Sequence, residues 1–289
     1  MHKIDILMEK DIMEANRRIA EENRKMLAEY NVRAFDVLGS IGSGKTTIIE
    51  KLSILLREKG IRCGAIAGDV AGDDDYRRFI ENNMPAVNIN TGKECHLDAH
   101  LVEHAIEKLP LDDIDILFIE NVGNLVCPVD FLLGSEKRIV VISATEGEDM
   151  VRKHPLIFAS CDLAVLNKID LADSNTIRKC SEKLSNRENI PVSADKNVNL
   201  DLLKEKIFKK LNFIRVYMKH DGKTDYDEPM VVKEGSNVGM ICDNLRRDFR
   251  KKFRYAYVWG KSALYPGQMV GFNHVLMDED VLTLVLERK

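Results

Sequence analysis

The segment best suited to hold a phosphate is Gly39-Ser40-Ile41-Gly42-Ser43-Gly44-Lys45-Thr46-Thr47, which satisfies G-x-x-x-x-G-K-[ST] at every position. Its glycines let the backbone curl so that N–H groups face phosphate oxygens, assisted by the N-terminus of a following helix. Lys45 is placed to pair with β- and γ-phosphates, and the Thr46 hydroxyl to bind Mg²⁺. A chance glycine-rich turn would carry the same letters. The apolar run FDVL before it and the helical pattern after it argue for a nucleotide loop.

The base is read from a second segment. Asn167-Lys168-Ile169-Asp170 ends an apolar run and has the NKxD spacing of GTPases. A carboxylate at Asp170 can accept from N1–H and the 2-amino group of guanine, which adenine does not offer, and the Lys168 stem can pack on the base. Ser193 and Ala194 sit in a short VSA segment resembling the loop whose backbone N–H meets the guanine carbonyl. GTP is therefore the expected nucleotide. Asp69 and Glu120 end two further apolar runs, where carboxylates of a parallel sheet face the ligand crevice. With Lys45 and Thr46 they are the candidate catalytic groups. Thr46, Asp69 and Asp75 are the candidate Mg²⁺ ligands, although the run Asp73, Asp74, Asp75 also suits a solvated helix start. No water-positioning Gln and no arginine finger stands out, so slow intrinsic turnover is expected.

A third segment, TGKECHLDAHLVEH (91–104), holds Cys95 and places His96, His100 and His104 at i, i+4 and i+8, which a helix would stack on one face. Cys127, in LVCPVD, follows the Glu120 strand and could approach Cys95. Thiolate plus imidazole suits Zn²⁺ or Ni²⁺. On residue types alone, a polar helix face with unrelated cysteines is the weightier reading.

The elements that must position these residues alternate. Apolar runs at 35–39, 63–70, 86–90, 116–123, 138–145, 163–170 and 190–194 are separated by helix-length stretches. They predict an α/β fold with a mostly parallel, doubly wound sheet. Residues 1–30 read as an N-terminal amphipathic helix, 31–212 as the nucleotide domain and 213–289 as a small α+β domain. In the last, four short strands (214–219, 229–235, 255–260, 281–287) surround one helix at about 236–252.

Composition bounds the rest. A chain of 289 residues, 45% hydrophobic and 31% charged, builds a folded core and argues against disorder. No apolar run approaches the roughly 20 residues of a membrane span, so no membrane contact is expected. The charged opening MHKIDILMEKD argues against secretion, and six scattered cysteines without CxxC suit reduced thiols, hence a cytoplasmic location. Net charge is −9 over residues 1–172 and +5 over 173–289, which suggests different partners for the two parts.

Over about residues 4–172 the chain resembles HypB, the hydrogenase and urease-type nickel-insertion GTPase, through GSIGSGKTT, AGDV, NTGKECHLDAH, LFIENVGNLVCP, VVISATEG and LNKIDLAD. The resemblance implies a P-loop NTPase that dimerises on GTP binding and works with nickel-enzyme maturation partners. It also implies Ni²⁺, or Zn²⁺ in its place, held between subunits at the positions of Cys95, His96 and Cys127. His100 and His104 match further metal positions of archaeal-type members, a candidate second Zn²⁺ site. The N-terminal cysteine motif and His-rich tract of some relatives are lacking, which argues against bulk nickel storage.

From about 189 to 289 the resemblance passes to the end of developmentally regulated GTP-binding (DRG) proteins. It is carried by NIPVSADKNVNLDLLKEKIFKKLNFIRVYMK, DYDEPMVVKEGS, FRYAYVWGKSA, PGQMVGFNHVL and DEDVL. This implies a TGS domain, a β-grasp module associated with translation factors, and an alternative expectation of RNA or ribosome contact. Arg246, Arg247, Arg250, Lys251, Lys252 and Arg254, opposed only by Asp248, would supply the charge for it. A solvated face of a helix anchored by Leu245, Phe249 and Phe253 accounts for the same residues.

Overall fold

The computed structural model describes residues 3–184, 186–220, 223–226, 229–245 and 249–287. In chain order the elements of the first part are α1 (Lys3–Glu29), β1 (Arg33–Gly39), α2 (Lys45–Arg57), β2 (Cys63–Asp69), α3 (Asp74–Glu81), β3 (Ala86–Asn90), α4 (Ala99–Ile106), β4 (Ile116–Glu120), β5 (Lys137–Ser143), α5 (Glu148–Lys153), α6 (Pro155–Ala159), β6 (Leu163–Asn167), α7 (Ser174–Lys183), β7 (Asn189–Pro191) and α8 (Leu200–Lys210). The second part comprises β8 (Phe213–His220), β9 (Lys223–Thr224), β10 (Met230–Lys233), α9 (Val238–Leu245), α10 (Phe249–Lys252), β11 (Phe253–Trp259), β12 (Gln268–Val270) and β13 (Asp280–Leu286).

The first seven strands form one sheet in the order β3-β2-β4-β1-β5-β6-β7. Every pairing in it is parallel. The strands are apolar without alternation because helices cover both faces. On one side Leu27, Leu97, Val102 and Ile119 close a core beneath α1 and α4. On the same face, across β5 and β6, Leu38, Val140, Ile157 and Leu166 form a second cluster. The chain moves outward from β1 to β2 and β3, returns to β4, and then builds β5 to β7 beyond β1. The C-terminal ends of β1, β2, β4 and β6 therefore present the glycine loop, Asp69, Glu120 and Asn167 at one edge of the sheet.

The fold divides into two compact units, residues 1–57 with 61–207, and 58–60 with 208–289. The second unit is a mixed sheet, β10-β8-β13-β11-β12, in which, among the described residues, only β13 and β8 run parallel. Val238, Ile241 and Cys242 of α9 are buried with Val216, Val258 and Leu282 of the sheet. Two features differ from the expectation of four strands around one helix. Short strands β9 and β12 are added, and the helical stretch is described as α9 and α10. Arg246, Arg247 and Asp248 of the basic stretch lie outside the described residues.

Candidate functional site: a nucleotide cleft joined to a thiol–imidazole pair

The glycine loop closes β1 onto α2, whose first residue is Lys45. Gly44 takes φ of +93°, and a Cβ there would lie 2.3 Å from Asn167 Nδ2, so this position requires glycine. Lys45 Nζ donates to the carbonyls of Gly39 and Ser40, each at 3.3 Å. Burial lowers its pKa, against the pull of Glu120, Asp75, Asp69 and Glu146. Ser40 Oγ donates to Glu146 Oε1 at 2.7 Å.

Asn167 knits the base side to the phosphate side. Its Nδ2 donates to Ser43 O at 3.0 Å, and its Oδ1 accepts from Ala194 N at 3.1 Å. Lys168 adopts a left-handed turn, φ 61°, and lines the cleft. Asp170 follows in an exposed helical turn, and Ser193 and Ala194 are buried. The cleft between these groups has a volume of about 440 Å³ and is lined by Ile41, Gly42, Thr47, Gly123 and the charged residues below.

Three oxygens meet at its floor. Thr46 Oγ1 is 2.8 Å from Asp75 Oδ1 and 2.9 Å from Glu120 Oε1, but a hydroxyl has one proton to donate. Glu120 Oε2 is buried without a partner. Burial first, and then the charge of Asp75, push the Glu120 carboxyl up to about 8. An oxygen cluster short of positive charge fits a hard divalent cation such as Mg²⁺. Asp69 lines the same cleft and turns Oδ1 to Val70 N at 2.6 Å. Of the acidic run only Asp75 joins the cluster, while Asp73 pairs with Arg77 at 2.8 Å on the surface.

Arg78 was not singled out from the sequence. It lines the cleft, donates to Thr47 Oγ1 at 3.0 Å, pairs with Glu50 and stands 3.9 Å from Asp75. Its position one turn after an acidic run was the available signal.

The metal-ligand candidates divide. His96 is not on the helix with His100 and His104, contrary to the i, i+4, i+8 expectation. Asp98 caps α4 by accepting from Leu101 N at 2.8 Å, so the helix starts at Ala99 and His96 falls in the preceding loop. There its ring packs on Phe131 at 3.8 Å between centroids, and Nδ1 is 3.7 Å from Cys95 Sγ. The Cys127 thiol lies beside Cys95 and raises the Cys95 thiol pKa. His100 and His104 remain stacked on α4, ring centroids 4.5 Å apart, with His104 3.4 Å from Glu107. Among the described residues no three such side chains already converge as a metal cage.

The loops bearing these groups are pinned from α1. Asn16 accepts from Ala99 N at 2.8 Å and donates to Leu132 O at 2.8 Å. Asn23 donates to Ala99 O at 2.8 Å and Leu133 O at 3.0 Å.

In the second unit, Arg250 pairs with Asp243, and Arg254 is 4.0 Å from Glu287. Leu245, Phe249 and Phe253 pack against the core as expected, but Phe253 and Arg254 open strand β11 and so do not continue the expected helix face. Among the described residues no helix is long and apolar enough to cross a membrane.

A family model described as "CobW/HypB/UreG, nucleotide-binding domain" matches residues 34–192, and a TGS domain model matches 214–286. The chain is 57% identical over 175 residues to the probable hydrogenase maturation factor HypB of Methanocaldococcus jannaschii, covering 60% of this chain and 79% of that one. It is 44% identical over 164 residues to HypB of Escherichia coli, covering 57% of this chain and 56% of the relative, so it spans little more than half of that protein's length. The crystal structure of HypB from Helicobacter pylori in complex with nickel superposes with a TM-score of 0.64 at 30% identity, over 68% of this chain and 94% of that one.

Proposed function

The chain belongs to the CobW/HypB/UreG nucleotide-binding family and carries a TGS domain, and from this we propose that it is a GTP-hydrolysing nickel-delivery factor for hydrogenase maturation. The observation that carries the proposal is one contiguous layout. The strand that ends in Glu120, at the floor of the nucleotide cleft, leads within seven residues to Cys127, and Cys127 lies beside Cys95, whose Sγ is 3.7 Å from His96 Nδ1.

GTP is the substrate and nickel the cargo. Lys45 pairs with the β- and γ-phosphates, the loop N–H groups from Gly39 to Thr47 cradle them, and Asp170 with the Ser193–Ala194 loop reads guanine. Thr46, Asp75 and Glu120, with Asp69 beside them, would hold Mg²⁺, which when bound would supply positive charge opposite the phosphates. Arg78 holds α2 and α3 together at this cluster through Glu50 and Thr47.

Cys95, His96 and Cys127 provide two thiolates and one imidazole, too few for a closed tetrahedral site. A second copy, brought in when GTP binds, supplies the rest, and hydrolysis separates the pair and releases the ion. The same donors accept Zn²⁺. The nucleotide thus times cargo handling through differential dimer affinity. Cys95→Ala combined with Cys127→Ala should abolish stoichiometric nickel binding while GTP still binds. Nickel binding at the wild-type level would remove the proposal.

A further inference from the structure

Asp36 lies in the middle of β1, fully buried, with Arg138 of β5 as its register neighbour. Arg138 Nε donates to Asp36 Oδ2 at 3.1 Å, and Asn121 Nδ2 donates to Asp36 Oδ1 at 3.3 Å. From this carboxylate two arms reach the two metal-bearing segments. Asn121 Oδ1 accepts from Leu97 N at 3.1 Å, next to His96, and from Val122 N at 3.0 Å. Arg138 Nη1 donates to Val129 O at 3.0 Å and to Ser160 Oγ at 3.2 Å, and Nη2 to Phe131 O at 3.4 Å. Val129 lies two residues past Cys127, and Phe131 carries the ring that supports His96.

A buried ion pair is a poor way to stabilise two strands that are otherwise apolar, because desolvation cancels much of the attraction. What this pair does provide is direction: a planar guanidinium and an amide, each held by one carboxylate, aim donors and an acceptor at fixed backbone atoms. Asn121 also directly follows Glu120, so a change in how Glu120 is held shifts the amide that fixes Leu97.

We propose that Asp36, Asn121 and Arg138 are positioning residues that set Cys95 and His96 against Cys127 and carry the state of Glu120 to them. This rests on reading those three residues as nickel donors. It adds the physical link by which the nucleotide would alter the donor set. The asparagines of α1 hold the same loops but touch no group of the cleft, so they serve as the comparison.

The test is nickel affinity, by competition with a chromophoric chelator, in protein loaded with GDP or with a non-hydrolysable GTP analogue and Mg²⁺. The wild-type affinities should differ at least about fivefold between the two states, the low end of ordinary couplings. Arg138→Lys keeps a cation opposite Asp36 but loses the fork that reaches Val129 and Phe131, and should bring the two affinities within about twofold. Asn16→Ala should weaken nickel binding by a similar factor in both states and leave their ratio intact. If Arg138→Lys does not fold, Asp36→Leu with Arg138→Met removes the pair as a unit and should likewise erase the ratio. A wild-type ratio of one, a ratio preserved without the Arg138 fork, or the same collapse in Asn16→Ala would overturn the inference. Cys95→Ala with Cys127→Ala, run alongside, separates the failures: full nickel binding there sinks the donor assignment itself. Lost binding there with an unchanged ratio in Arg138→Lys sinks only the relay.

Discussion

Thr46 Oγ1 stands 2.9 Å from Glu120 Oε1, so the end of β4 is joined to the first turn of α2 at the floor of the cleft. Glu120 keeps its proton in the folded protein to about 8, whereas its ordinary value is 4.5. The unfolded chain therefore loses this proton first. The neutral carboxyl's contribution to stability is complete below pH 4.5 and is lost as pH rises towards about 8.

In protein free of nucleotide and divalent ions, denaturant unfolding should show stability falling by up to roughly 1.4 kcal/mol per pH unit within that window from this group. Glu120→Gln, which cannot ionise, should flatten that part of the profile. Superimposable wild-type and Glu120→Gln profiles would contradict the assignment.

Gly44→Ala places a methyl group against Asn167 Nδ2 at a left-handed φ of +93°. The loop must open to admit it, which breaks the Asn167 bridge from Ser43 to Ala194. GTP affinity should fall by about tenfold or more, the equivalent of one buried hydrogen bond left unmade. Fluorescent-nucleotide titration measures it, and unchanged affinity would show that Asn167 and the loop are not coupled.

Asp170→Ala removes the carboxylate proposed to accept from guanine N1–H and the 2-amino group. The preference for GTP over ATP should drop by about a hundredfold or more, as expected where hydrogen-bond readout sets selectivity. Competition binding of the two nucleotides reports it directly.

His100→Ala with His104→Ala should leave tight nickel binding in place and remove at most a weaker, second zinc equivalent. Both residues are exposed on α4, away from the loop that holds His96. Loss of the tight site in a nickel titration would relocate the cargo to the helix.

The nucleotide site was legible because its chemistry is local. The loop from Gly39 to Thr47 and the Asn167–Asp170 turn each carry their spacing within one short segment, and apolar runs marked the strands before them. The parallel sheet followed from runs too apolar for one solvated face. What stayed hidden depends on pairings distant in the chain. Asp36 and Arg138 read as interruptions of apolar strands, and only the β1–β5 register shows that they neutralise each other. Glu120 was legible as a cleft carboxylate, but its unpartnered oxygen was not. The histidine spacing misled because periodicity ignored a start signal: Asp98 just before AHLVEH is a helix cap, and it expels His96 from the face.

The central claim, that GTP builds a nickel site between two copies of this chain, is tested most directly by measuring molar mass and bound nickel on one sizing column. Samples would be loaded with Mg²⁺ and either GDP or a non-hydrolysable GTP analogue. The account predicts monomer with GDP, and with the analogue a dimer carrying stoichiometric nickel that disappears in Cys95→Ala/Cys127→Ala. A chain that remains monomeric with the analogue, or a dimer that takes up no nickel, would contradict it.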